Sequence, residues 1–132
     1  MSSYQSFEDL PIWKEARRLA KEVYTLTYKP LFVKDFAITG QIKRAIGSVM
    51  DNIAEGFERD GRLEFINFLS IAKGSIGEVR SQLYRAFDQQ YIAEKELHKL
   101  TNDYKQLAAH IANFIKYLNK SNNKGNKFKD RI

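Results

Sequence analysis

Apolar residues at alternating steps of three and four run through the C-terminal part of the chain and constrain its fold more than any other feature. The stripe spans three heptads and consists of Leu97, Leu100, Tyr104, Leu107, Ile111, Phe114 and Leu118. Because successive residues of an α-helix turn by about 100°, this spacing places all of them on one face. The segment therefore predicts an amphipathic helix that packs against other helices.

Three earlier segments of the 132-residue chain show the same period. Their stripes are Ile12, Ala16, Leu19, Val23 and Leu26; Ile42, Ile46, Val49, Ile53 and Phe57; and Phe65, Phe68, Leu69, Ala72, Ile76, Val79, Leu83 and Phe87. The alternation typical of strands is missing, and the chain has only two prolines. We therefore predict an all-α fold of four helices, each of about 20 residues.

Cap and turn residues predict where the helices begin and end. Asp9 is positioned to accept hydrogen bonds from the first free amides of the first helix, and Pro11 suits its first turn. The run Tyr28-Lys29-Pro30 predicts its end. Thr39 is the predicted N-cap of the second helix.

Short connections indicate that consecutive helices pack antiparallel. The links around residues 59–61 and 90–93 hold only a few residues, as in helical hairpins. The longer link from Lys29 to Ile38 contains Pro30, Leu31, Phe32 and Phe36, and we expect it to fold over one end of the helices. The sequence therefore predicts an up-down-up-down antiparallel four-helix bundle over residues 1–119.

The net charge of +6 lies mostly near the C-terminus. Residues 120–132 contain five basic residues and one acidic residue, so they carry +4 and leave the rest of the chain near neutrality at +2. This segment is rich in Asn, Lys and Gly, and we predict a disordered basic tail. It suits binding to phosphates or, as the alternative, serves only to keep the chain in solution.

The chain offers little for catalysis or cofactor binding. It contains no Cys, which excludes disulfides, thiol catalysis and cysteine metal sites. His98 and His110 lie off the apolar stripe, and we expect them on the surface. No Glu-x-x-His pair, Gly-rich phosphate loop or hydrolase motif occurs. We predict no cofactor and no enzymatic activity. Since the sequence has neither a signal peptide nor a membrane span, we expect a cytoplasmic protein.

A polar stripe beside the core of the second helix is unusual. Gly47, Ser48 and Asn52 sacrifice helix propensity in mid-helix, so we expect a compensating contact with polar residues of the third helix. The predicted network consists of Gln41, Ser48, Asn52, Glu55, Arg59, Ser75, Glu78 and Gln82. Three interpretations stay open at this point: hydrogen bonds that set the helix register, a subunit interface, or Glu55 and Glu78 acting as acid/base or ligand groups.

Several motifs of the middle helices resemble those of a known family. They are Gln41-Ile42-Lys43-Arg44-Ala45, the run from Ser48 to Gly56 with Asn52-Ile53-Ala54-Glu55-Gly56, Phe65, Phe68-Leu69, and Ile71-Ala72-Lys73-Gly74-Ser75 followed by Glu78. Phe7, Leu10 and Trp13 resemble its opening. In this order, over Phe7 to about Leu118, the chain resembles the four-helix-bundle family encoded in intervening sequences of bacterial 23S rRNA genes.

The resemblance implies a four-helix bundle that assembles as a homopentamer. It also implies a relation to the accessory protein of diversity-generating retroelements, which is basic, pentameric and associated with RNA and a reverse transcriptase. No catalytic residues carry over. The chain departs from the family pattern at Met50, often Pro, and at Gly61 and Ala93, where capping residues are common before the third and fourth helices.

Two functions remain as hypotheses. The first is an oligomeric accessory protein that binds RNA or DNA backbone through basic residues. Its candidate contacts are Lys43, Arg44, Lys73, Arg80, Arg85, Lys120, Lys124, Lys127, Lys129 and Arg131. The second is a scaffold oligomer that binds another protein, such as a reverse transcriptase, on a helix face or in a central channel. The same cations would then solvate the surface or form weak ion pairs.

Overall fold

The computed structural model describes residues 4–120, which form four α-helices and two short 3₁₀ turns. The helices are α1 (Pro11–Thr27), α2 (Phe36–Glu58), α3 (Arg62–Asp88) and α4 (Glu94–Lys120), and the 3₁₀ turns span Phe7–Asp9 and Phe32–Lys34. No strand occurs within residues 4–120. The predicted all-α fold is confirmed.

Contacts between distant side chains give the direction of each helix. Near one end of α2, Arg85 donates to Gln41 at 2.8 Å, and further along the helix Ser48 and Ser75 approach within 2.8 Å. Residue numbers therefore rise on α2 as they fall on α3, so the two helices are antiparallel. The same holds between α1 and α4, where the pairs are Glu15 with His110 and Glu22 with Lys99.

The core occupies the space between the four helices. Every residue of the predicted α1 and α2 stripes is buried. Phe68, Phe87 and Phe114 are only half-buried at the margin, whereas the rest of the α3 and α4 stripes is buried. One continuous core of this kind fits the predicted bundle.

The first two helices begin differently from the prediction. Leu10, and not Asp9, is the N-cap residue of α1, because residues Phe7–Asp9 form a 3₁₀ turn of their own. For α2, Asp35 is the N-cap and accepts a hydrogen bond from the Ile38 N–H at 3.2 Å. Thr39 instead lies buried in the first turn, where its hydroxyl donates to the Asp35 carbonyl at 3.0 Å. The cap predictions for Asp9 and Thr39 were wrong.

The link before α2 covers one end of the core, as predicted. Phe32 is fully buried, and its ring stacks on Tyr91 of the α3–α4 turn at 5.4 Å. The Tyr91 hydroxyl donates to Asp35 at 2.8 Å. This hydrogen bond lowers the pKa of Asp35 and raises the pKa of Tyr91. The same end therefore joins the link, the start of α2 and the turn before α4.

The start of α4 compensates for its missing cap side chain. Ala93 offers no hydroxyl, but its N–H donates to Glu96 at 2.8 Å, which is half of a capping box. Lys29 donates to the same Glu96 oxygen at 2.7 Å. Burial raises the pKa of Glu96, but the hydrogen bonds from Lys29 and Ala93 outweigh it, so the pKa is lowered overall. Gly61 is the N-cap of α3.

Candidate nucleic-acid interface

The α2–α3 seam is closely packed at Gly56. A Cβ added to Gly56 would lie 2.6 Å from the Phe68 Cβ and 2.9 Å from the Phe65 ring, so only glycine allows this approach. Ser48 and Ser75 then meet across the seam at 2.8 Å. Small residues thus bring the α2 and α3 backbones together.

The predicted polar residues fall into separate groups. Asn52 donates to the Ser48 carbonyl at 2.8 Å and to its hydroxyl at 2.9 Å, which extends the Ser48–Ser75 contact along α2. Glu55 and Arg59 form a pair at 3.1 Å on the exposed side of α2. Hydrogen bonds therefore cross the seam at Ser48 and Ser75, whereas Arg59, at the end of α2, pairs with Glu55 and also reaches Glu64 of α3 at 3.9 Å.

The remaining three polar residues line an open groove beside this seam. We call it the α2–α3 groove; its volume is about 530 Å³, and it is lined by Gln41, Arg44, Ala45, Ser48, Glu78, Ser81, Gln82 and Arg85. Gln82 is only 8% exposed, and its Oε1 has no hydrogen-bond partner among the described residues. Arg85 is held against Gln41, and Arg44 has no ion-pair partner within residues 4–120.

A second groove lies on the other side of α3. This α3–α4 groove has a volume of about 560 Å³ and is lined by Arg80, Tyr84, His98, Lys99, Thr101, Asn102, Asp103 and Lys105. Lys99 contacts Glu22 at 2.8 Å and Asp103 at 3.0 Å, and these two carboxylates raise its pKa. Lys99 is therefore neutralised by its neighbours.

The structure separates the cations that the sequence places in one candidate interface. Arg44 and Arg85 share the α2–α3 groove, and Arg80 lies in the α3–α4 groove. Lys73 is exposed two turns before Arg80 on the same side of α3. Lys43 lies elsewhere, beside tyrosines of α1 and the following turn.

The contacts of Lys43 fix it against α1. Its ammonium group is 5.4 Å from the Tyr24 ring and 5.6 Å from the Tyr28 ring, a cation–π geometry. Lys120 is exposed at the end of α4. Lys124, Lys127, Lys129 and Arg131 lie outside the described residues.

The two histidines are exposed, as predicted. The His98 ring is 3.3 Å from Glu94, and the His110 ring is 2.8 Å from Glu15. Within residues 4–120 no group of three or more His, Asp or Glu is placed to hold a metal ion. No helix in this part of the chain is long and apolar enough to cross a membrane.

Sequence reasoning missed several residues of the two grooves, namely Ser81, Tyr84, Asn102 and Lys105. Tyr84 lies four residues after Arg80 and off the apolar stripe of α3, which is a signal for a shared exposed face. Asn102 and Lys105 carry no such signal, because only the packing of α4 against α3 brings them to Arg80.

Comparison with known proteins assigns the family. In a crystal structure from Bacteroides thetaiotaomicron, a protein with unknown function from the S23 ribosomal protein family has a similar fold, with a TM-score of 0.72 and 24% identity. The match covers 80% of this chain and 98% of that one. No curated protein sequence matches the chain. The model of the 23S rRNA-intervening sequence protein family matches residues 8–113. The chain therefore belongs to the 23S rRNA-intervening sequence protein family.

Proposed function

We propose that this chain is a non-enzymatic, cytoplasmic accessory protein that assembles with copies of itself and binds the backbone of RNA or DNA. The observation that carries this proposal is the concentration of cations in the two grooves beside the C-terminal half of α3. Their basic residues are Arg44, Arg80, Arg85, Lys99 and Lys105, against the acidic Glu78 and Asp103.

This local balance accounts for the charge of the whole body. With neutral His98 and with Glu22 counted as the partner of Lys99, the two grooves together carry +2, which is the charge of residues 1–119 as a whole. The rest of the body is therefore neutral overall, and the positive potential is concentrated at the grooves. Contacts between guanidinium groups and phosphates are strong and often bidentate, and they do not depend on base sequence.

Assembly strengthens this interaction. The resemblance described above supports a homopentamer, in which five chains of +6 would carry +30. Repeated grooves and basic segments on one particle bind a polyanion multivalently, so modest contacts add up to high avidity. By the same resemblance, a reverse transcriptase is the proposed protein partner. Mass measurement in solution tests the pentamer directly.

A salt titration with matched charge variants tests nucleic-acid binding. Labelled RNA and DNA are titrated with the full chain, with Arg44→Gln/Arg85→Gln, and with Lys14→Gln/Lys21→Gln as a control. The control removes the same charge from exposed positions of α1. We expect the groove variant to weaken binding and to flatten the log–log salt slope by about 2, one for each lost phosphate contact.

A fourth protein tests whether the nucleic acid contacts the grooves or the C-terminal segment. A chain ending at residue 119 keeps both grooves and removes the segment predicted to be a basic tail. If both double variants lose affinity equally, binding follows total charge and the groove assignment is wrong. Absence of binding to RNA and DNA at low salt would contradict the proposed function itself.

One observation favours the alternative, a scaffold oligomer that binds a protein. A Cβ added to Gly47, Gly74 or Gly77 would meet no atom of residues 4–120 within 4 Å, so packing among these residues does not explain the helix-interior glycines. Ile71, on the exposed side of α3, is 51% exposed. Glycines of this kind allow another backbone to approach closely. Partner binding with little salt dependence, lost in Gly74→Leu and Gly77→Leu, would support this function.

A further inference from the structure

We infer that the α3–α4 groove is a binding site for single-stranded nucleic acid, in which one base stacks on Tyr84 and the adjacent phosphate pairs with Arg80 and Lys105. This inference rests on the proposed function and assigns to one groove the state of the nucleic acid that it accepts. The juxtaposition that carries it is an exposed aromatic ring that lines the same groove as two cations without a partner among residues 4–120.

The cations of the groove are available to an anion. Lys99 is neutralised by Glu22 and Asp103. Arg80 and Lys105, by contrast, have no ion pair or side-chain hydrogen bond among residues 4–120. The groove therefore keeps two positive charges that no acidic side chain of the described residues neutralises.

Arg80 also has an unsatisfied donor. Its Nε is buried and has no hydrogen-bond partner among the described residues. A buried donor without an acceptor is costly, and native proteins seldom keep one without a reason. Arg80 as a whole is only half-buried and lines the groove, so a phosphate there would bind the terminal nitrogens of its guanidinium group, while the buried Nε holds the group in place beneath them.

Tyr84 supplies a surface for a base. It is 48% exposed, and its ring contacts no other aromatic ring of the described chain. Other large rings of the bundle are used differently: Phe32 stacks on Tyr91, and Phe65 packs against Phe57. The Tyr84 ring faces a groove of about 560 Å³, a volume in the range of small-ligand sites.

This geometry favours a single strand over a duplex. In a duplex both faces of each base are covered by neighbouring bases, so a protein ring cannot stack without base flipping. A single strand exposes these faces, and stacking on aromatic side chains beside a basic groove is the usual way to bind it. Stacking tolerates any base, so we expect no strong sequence preference.

Fluorescence of a base analogue tests the inference with the full-length chain. The probe is a short single-stranded RNA with one 2-aminopurine, compared with the same strand in a duplex. Stacking on Tyr84 should quench the probe when the wild-type chain binds it. We expect Tyr84→Leu to abolish the quenching and to weaken single-strand binding about tenfold, with little effect on the duplex.

Two further variants separate stacking from folding. Tyr84→Phe keeps the ring and should keep both quenching and affinity. Phe36→Leu removes another exposed ring, 83% exposed at the start of α2, and should change neither. Arg80→Gln should weaken binding of the single strand severalfold and flatten the log–log salt slope by about 1.

The outcomes distinguish this inference from the proposed function. Equal binding of single strand and duplex, with no effect of Tyr84→Leu, would overturn the inference and leave backbone binding standing. Failure of the wild-type chain to bind either form would overturn both. Competition by an acidic peptide that depends on Tyr84, without any quenching of the RNA probe, would assign the groove to a protein segment instead.

Discussion

The α2–α3 seam and the α1–α4 seam join antiparallel helices by different means. At Gly56 the backbone of α2 lies against the Phe68 side chain with no room for a Cβ, and Ser48 and Ser75 meet in the partly buried seam at 2.8 Å. Between α1 and α4, long charged side chains span the surface, as in the 2.8 Å contact of Glu22 with Lys99.

This difference predicts which of the two seams is sensitive to substitution. Closely packed backbones have no room to relax. Adding or removing a group there therefore lowers the free energy of unfolding by the full packing cost. Exposed ion pairs gain little over hydrated ions and are screened by salt. Stability should therefore depend on the α2–α3 seam, and the α1–α4 surface should tolerate substitution.

The largest effect is expected for Gly56→Ala. The new methyl group must displace the Phe68 Cβ, which is attached to the α3 backbone, so the overpacking cost should lie at the upper end of about 1–3 kcal/mol, and helix propensity returns about 1 kcal/mol of it. We expect the free energy of unfolding in urea to fall by about 2 kcal/mol. The control is Gly74→Ala, whose Cβ would meet no atom of the described residues within 4 Å and which should raise the free energy of unfolding by about 1 kcal/mol through helix propensity. A gain in both variants would show that the seam is not closely packed.

The hydrogen bond across the same seam should have a smaller effect. Ser75→Ala removes the partner of the Ser48 hydroxyl across the seam and leaves it only the hydrogen bond from Asn52, so we expect the free energy of unfolding in urea to fall by about 1 kcal/mol. A double-mutant cycle with Ser48→Ala measures the coupling between the two hydroxyls. Ser81→Ala, at an exposed position of α3, serves as the control. No coupling would mean that the seam is held by shape alone.

Substitution of a core tyrosine of α4 should raise the free energy of unfolding instead of lowering it. Tyr104 is fully buried, and its hydroxyl has no hydrogen-bond partner among the described residues. Burial, with a smaller contribution from Glu22, raises its pKa. We expect Tyr104→Phe to raise the free energy of unfolding by up to about 1 kcal/mol. Tyr91→Phe is the control and should destabilise, because that hydroxyl donates to Asp35. A clear loss in Tyr104→Phe would indicate a bound water.

The smallest effect is expected for Glu96→Gln, and it should depend on pH. The lowered pKa of Glu96 means that its contribution is complete above its ordinary pKa of 4.5 and is lost as the pH falls through the lowered value. The free energy of unfolding of the variant should therefore be about 0.5 kcal/mol below that of the wild type at pH 7 and equal to it at strongly acidic pH. Glu94→Gln, at the exposed pair with His98, is the control. A difference between wild type and Glu96→Gln that persists in acid would exclude the ion pair as its source.

Sequence reasoning succeeded where the signal was local and failed where a distant residue competed. The stripe from Leu97 to Leu118 predicted α4 correctly, because helix geometry alone decides which residues share a face. Thr39 failed as a cap because Asp35 starts the helix one turn earlier. Asp35 is held there by Tyr91, which lies 56 residues away in the chain. No local pattern around Thr39 reveals that contact.

In the candidate interface, too, the sequence shows the local features but not the contacts between distant residues. Lys43 and Arg44 are neighbours in sequence, yet one contacts the tyrosines beside α1 and the other lines the α2–α3 groove. A turn of about 100° between adjacent helical residues separates them, but the sequence does not say which helix each one meets. Arg80 and Lys105 come together only because α3 and α4 pack antiparallel.

The sequence by itself determined the four amphipathic helices and their apolar faces, because periodicity within a segment fixes the direction of each side chain. Only the tertiary structure decided the register of the helices, the close approach at Gly56 and the two grooves beside α3. These features depend on the fit of side chains from segments far apart in the chain. Such a fit depends on packing in three dimensions, and no periodic pattern in the sequence of either segment reveals it.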